Sequence, residues 1–239
     1  MWDLSNAYVK LDNPRYDLSG GGPVLGKIQD YPTLAQALLD FSHRVDIASY
    51  QDYFINFGEA RIYRDIFSKN MGNGVQWMET PFSATINATT GLVALPSGYI
   101  ALKAMQITDG NSDTFTLLYK DPQWLYSNYP IRQPTGLPAY VARDGTNFVF
   151  GPFPDAAYAL TGTYYQQSAP LSSTNTTTWM TAYASDLLFA SCMRELQPFL
   201  KDVGWQQNWD AIYQDKLASL LDFDKAERFA PGAMTIEVE

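Results

Sequence analysis

Gly136-Leu137-Pro138-Ala139-Tyr140 leads into Phe148-Val149-Phe150-Gly151-Pro152-Phe153-Pro154 and the run Tyr158–Gln167. After a Thr-rich loop comes a helical pattern carrying Asp186-Leu187-Leu188, and then Trp205 and Trp209. Strand chemistry passes here into helix chemistry in a fixed order. Gly162-Thr163-Tyr164 alternates in the way a strand requires, and Asp144-Gly145 reads as a tight hairpin turn. Beyond the polar loop Ser172–Thr178, the residues Ala184, Leu188, Cys192, Leu196 and Phe199 recur at helical spacing. Thr181 is the expected cap of that helix, and Pro198 is expected to kink or end it. After Asp202-Val203-Gly204 a last helix carries Trp205, Trp209, Ile212, Lys216 and Leu220.

Upstream of this stretch the strand texture reaches back to Val75. The candidates are Val75–Glu79, Phe82–Asn87, Leu92–Leu95, Ile100–Ile107, Thr114–Tyr119, Tyr140–Arg143 and Phe148–Phe150, followed by Tyr158–Gln167. Many short strands separated by turns predict a small antiparallel sandwich or barrel. Asp121-Pro122-Gln123-Trp124-Leu125-Tyr126 is expected to form one helical turn with Pro122 near its start. Before Val75 the pattern is helical. One helix is expected to be capped by Thr33, with Leu34, Ala37, Leu38 and Phe41 on one side. A longer one opens at Ser49-Tyr50-Gln51-Asp52, which resembles a capping box, and stops at Asn70-Met71-Gly72-Asn73-Gly74.

The reading is therefore α+β: an antiparallel bundle of about four helices with an inserted β-sandwich or barrel-like domain and extended arms at both ends. The expected boundaries are an arm over 1–27, a bundle over 28–74 plus 178–222, a β-rich insertion over 75–177, and a docking tail over 223–239. No internal repeat is visible.

The 239 residues carry 25 acidic against 16 basic side chains, a formal charge of −9. Such a chain is poorly suited to gripping nucleic acid by neutralising phosphates. Hydrophobic residues make up 46% and aromatic ones 15%, which rules out a disordered class and favours strands and contact surfaces. The single cysteine, Cys192, lies in an apolar helical pattern and reads as a buried thiol in a reducing compartment. No leader-like or bilayer-spanning apolar run is evident, so a protein made in the cytoplasm, with no membrane partner, is expected.

Catalytic arrangements are scarce. His43 is the only histidine and falls at a helix end. Zinc sites built from Cys and His are excluded by count, and the glycines at 20–22 lack the Gly-Lys-Ser/Thr of a phosphate cradle. No cofactor and no catalysis are expected. Glu79, Asp109, Asp113 and Asp155 leave open an alternative, a carbohydrate-binding or cell-wall-hydrolysing β-domain. The tyrosines Tyr126, Tyr129, Tyr140, Tyr158, Tyr164 and Tyr165 suit either half-buried strands or a contact surface. Alternating apolar residues at the end, Phe229, Met234, Ile236 and Val238, are the candidate docking interface, by strand addition to a partner.

The ordered landmarks resemble a known family. Tyr31-Pro32-Thr33-Leu34, Gly136-Leu137-Pro138-Ala139-Tyr140 and Phe150-Gly151-Pro152-Phe153-Pro154-Asp155 are similar to those of the head–tail adaptor (connector) proteins of short-tailed bacteriophages. So are Tyr158, Leu160, Gly162, Tyr164 and Tyr165, the helix Asp186–Leu200, and the Trp209…Tyr213…Leu217 helix. The match spans roughly 30–222, and the N-terminal arm falls outside it. The resemblance implies a virion protein of the neck, forming a dodecameric ring beneath the portal at the head–tail junction. It further implies contacts with the portal protein and with tail nozzle or fibre proteins, and non-specific passage of double-stranded DNA during ejection. Residues Phe229, Met234, Ile236 and Val238 would then dock on the portal.

Overall fold

The computed structural model describes residues 27–131, 133–200 and 203–229. Helices α1 (Tyr31–Ser42), α2 (Gln51–Lys69), α4 (Trp179–Tyr183), α5 (Ser185–Leu200) and α6 (Val203–Phe229) share one apolar cluster. Helix α5 packs against all four of the others. That is why its sequence shows more than one apolar stripe: Leu187, Leu188, Phe189, Ala190, Cys192, Met193 and Leu196 are all buried. Helix α2 runs antiparallel to it. Phe54 meets Phe199 at one end, and Ser191 Oγ donates to Gly58 O at 2.9 Å in the middle. The two backbones can approach this closely because residue 58 has no side chain; a Cβ there would stand 2.9 Å from Cys192 Sγ. Helix α6 runs antiparallel to α5, with Arg194 2.6 Å from Asp210 and Lys216 3.4 Å from Asp186.

Helix starts differ from the sequence reading by a few residues, for one reason. Asp30, not Thr33, caps α1: its carboxylate accepts from Thr33 N at 3.0 Å while Thr33 Oγ1 accepts from Asp30 N. Thr178, not Thr181, is the N-cap residue of α4, and its N–H donates to Thr181 Oγ1 at 3.0 Å. Helix α2 has no side-chain cap at all; Asp52 is instead taken by the Tyr31 hydroxyl. Pro198 sits inside α5, which continues to Leu200. Helix α6 runs through Asp222 to Phe229, further than its apolar spacing predicted.

The strands form two four-stranded sheets, neither closed into a barrel. One has the order β1 (Glu79–Thr85), β8 (Ala159–Gln166), β3 (Tyr99–Thr108), β4 (Thr114–Thr116). The other is β2 (Leu92–Ala94), β7 (Asn147–Gly151), β6 (Tyr140–Asp144), β5 (Leu118–Tyr119). All pairings are antiparallel except β5 with β6. The predicted single strand Thr114–Tyr119 is in fact two, one in each sheet. Leu117, 5% exposed, is the buried crossing point between them. The predicted strand Val75–Glu79 is a short 3₁₀ turn, Gln76–Met78, that leads into β1.

One cluster draws from both sheets, with Phe82, Met105, Ile107, Leu160 and Tyr164 from the first and Val93, Val141, Phe148 and Phe150 from the second. The Asp144-Gly145 turn joins β6 to β7, with Gly145 at φ +58°. Helix α3 (Pro122–Asn128), capped by Asp121, buries Leu125 against Ala142 and Val149. The two motifs Gly136–Tyr140 and Phe150–Phe153, distant in sequence, lie side by side: Gly136 N donates to Phe153 O at 2.8 Å and Ala139 N to Gly151 O at 3.0 Å.

Candidate assembly site

The helical and β-rich parts meet where the chain leaves α2 and where α6 ends. Asp224 and Arg228 lie one turn apart on α6. Asp224 is 1% exposed; it accepts from Gln76 N at 2.7 Å and from Arg228 Nε at 2.8 Å. Arg228 Nη2 donates to Gly74 O at 3.0 Å and stands 3.1 Å from Glu79 Oε1. That last contact is an ion pair by proximity only, since Glu79 Oε1 has no directed hydrogen bond. The other oxygen of Glu79, the first residue of β1, accepts from Lys103 Nζ of β3 at 2.5 Å. A buried carboxylate with a charged partner and a backbone N–H is strongly held, because losing either leaves an unsatisfied charge. The last turns of α6 are thereby pinned to the root of the β-rich part.

Beside this clamp lies an aromatic stack. Trp77 is near-parallel to Trp179 (6.3 Å between centroids, 13°), Tyr183 (5.2 Å, 12°) and Phe223 (6.0 Å, 9°). Trp179 is buried, and its Nε1 donates to the Tyr63 hydroxyl at 3.2 Å. Tyr183 and Phe223 are exposed, at 62% and 58%. Stacked rings at the surface add a flat apolar platform to the pinned helix end.

Met234, Ile236 and Val238, expected to dock, lie outside the described residues, as do most of the N-terminal arm and the side chains of Trp205 and Phe229. The backbone of Phe229 closes α6, so the candidate tail begins at the clamp. Three of the acids singled out in the β-rich part, Glu79, Asp109 and Asp155, have local partners, and Asp113 takes part through its backbone. Glu79 belongs to the clamp, and Asp109 Oδ1 accepts from the backbone of Asn111 and Asp113 within their own loop. Asp155 accepts from the Tyr158 hydroxyl at 2.5 Å. His43 is the C-cap of α1 in the left-handed region, φ 52°. Among the tyrosines, Tyr164 and Tyr165 are core residues, whereas Tyr126 is exposed and donates to Asp144. Tyr140 packs edge-on against Trp124, with Lys120 Nζ 5.9 Å from its ring centroid. Cys192 is buried, and burial pushes its thiol far up.

Sequence reading missed the Asp224–Arg228 clamp and the Trp77 stack. The signal for the first was present: an acid and an arginine at i,i+4 within Asp222–Arg228 mark a continuing helix. Nothing local signals the stack, since its four members come from three separate segments, the turn Gln76–Met78, α4 and α6. Among the described residues no helix is long and apolar enough to cross a membrane, and no group of three or more His, Cys, Asp or Glu is placed to hold a metal.

The model of one protein family, described as the SU10 adaptor protein, matches residues 29–235 of the chain. No curated protein matches it.

Proposed function

The chain belongs to the SU10 adaptor protein family, and on that premise we propose that it forms the ring joining portal to tail and continuing the DNA channel. Membership makes it a phage head–tail adaptor, a structural component of the virion. In the finer reading, about four antiparallel helices form a bundle from which a β-sandwich projects. Copies made in the host cytoplasm pack head to tail until rotation closes the ring, with a dodecamer as the expected number. The portal protein lies on one side and tail nozzle or fibre proteins on the other. The charge suits such a channel: at −9 per chain, twelve copies carry on the order of a hundred negative charges, which repel DNA phosphates and let the duplex slide.

The observation that carries the docking role is the pinned end of α6. Asp224 and Arg228 fix where the chain emerges after Phe229, so a segment with apolar residues at 234, 236 and 238 starts from a rigid point. A rigid launch point lowers the ordering cost of docking a terminal strand. Removing residues 230–239 while keeping Arg228 is expected to leave a folded protein that no longer co-sediments with portal rings. Undiminished binding by that truncation would rule out the docking role of Met234, Ile236 and Val238.

A further inference from the structure

We propose that residues 1–26 dock, within the same protomer, on an aromatic strip along the first two turns of α2. Tyr50, Tyr53 and Phe57 stand there at 48%, 61% and 53% exposure. The adjoining face of the helix, with Phe54, Ile55, Gly58 and Ile62, fills the core against α5 and its neighbours, and the strip stands outside that core. Phe199, 43% exposed and 5.9 Å from Tyr50, widens it. An outward helix face is ordinarily polar, and a continuous aromatic strip on one marks a surface that something covers.

The occupant follows from where the chain enters. Ile28 packs against the helical cluster, and Asp30 caps α1. The Tyr31 hydroxyl donates to Asp52 in the first turn of α2. The chain preceding Ile28 is therefore tethered beside the turn of α2 that carries the strip. Twenty-six residues can span up to about 85 Å, whereas the strip is only about 10 Å long. The arm supplies apolar side chains in Trp2, Leu4, Tyr8, Val9 and Leu11. The arm precedes the matched region, which begins at residue 29, whereas the strip lies within it. So short a tether gives an effective concentration in the millimolar range, which favours the protomer's own arm over a neighbour's in dilute solution. The inference does not depend on ring assembly.

Hydroxyl-radical footprinting of the isolated full-length protein, compared with a version lacking residues 1–26, tests it. Removing the arm is expected to raise oxidation of Tyr50, Tyr53 and Phe57 by about threefold or more, with Tyr126 and Tyr183 unchanged as internal controls. The full-length double variant Trp2→Ser/Tyr8→Ser should reproduce the rise without any truncation. Equal labelling of the strip in all three proteins overturns the proposal. Protection that grows with protein concentration over about 1–100 μM overturns it in favour of a neighbour's arm.

Discussion

The helical part and the β-rich part are both well filled, but with different materials. Every buried polar or charged side chain among the described residues, Glu59, Thr181, Ser191, Gln197 and Asp224, sits on a helix. The clusters of the β-rich part are wholly aliphatic and aromatic, with Phe82, Phe148 and Tyr164 at the centre. A strand ladder satisfies its own backbone and fixes register through pairing, so that part needs only apolar filling. Helices satisfy their backbones internally and leave their mutual placement to side chains. Three buried polar contacts restrict that placement: Ser191 on Gly58 O of α2, Glu59 on Leu171 N and Asp224 on Gln76 N.

That contrast can be broken most forcefully at Asp224. Asp224→Ala leaves the Gln76 N–H without its acceptor and removes one of the partners of the Arg228 guanidinium, which keeps Gly74 O and Glu79, and the expected cost is about 2–3 kcal/mol in denaturant unfolding. A cost below about 1 kcal/mol would show that the clamp does not place α6.

Glu59 gives the next effect, with the opposite sign. Its carboxylate accepts one backbone N–H, from Leu171 at 3.0 Å, and burial pushes it up to about 7. The folded state then holds a proton that the unfolded chain releases near its ordinary value. Stability is full at low pH and falls as pH rises from the usual carboxylate range to about 7. Glu59→Gln, neutral at all pH, is expected to be more stable than the parent by about 2 kcal/mol at pH 8, with the gain shrinking towards pH 4. Thermal unfolding across that range reads it out, and a gain independent of pH would contradict the cause given.

The smallest effect belongs to the β-rich part. Tyr158→Phe removes a surface hydrogen bond to Asp155 and is expected to change stability by less than about 1 kcal/mol in the same assay. A larger loss would mean that this part, too, relies on polar contacts.

Much of the fold was readable before any coordinates. Seven of the eight strand segments fall within a few residues of their predicted places, because alternation and turn residues such as Asp144-Gly145 act locally. The errors share one character. Thr33 and Thr181 looked like caps, but the true caps, Asp30 and Thr178, lie three residues earlier and use those threonines in return. Thr114–Tyr119 looked continuous because alternation does not record which sheet a residue joins. The tail appeared to begin at Phe223 because apolar spacing weakens there, although the Asp224–Arg228 spacing was helical throughout. Of the candidate site, the sequence pointed to the terminal segment but not to what holds its base.

By itself the sequence determined the element types, their order, the α+β class and the family, since periodicity, turn chemistry and ordered landmarks are written within short windows. Only the tertiary structure decided that Asp224, Arg228, Gln76 and Glu79 converge, that Trp77 collects three aromatic rings, and that Tyr50, Tyr53 and Phe57 remain outside. The reason is physical: convergence across a hundred or more residues depends on how α6 packs against α2 and α5, and no local pattern encodes that packing.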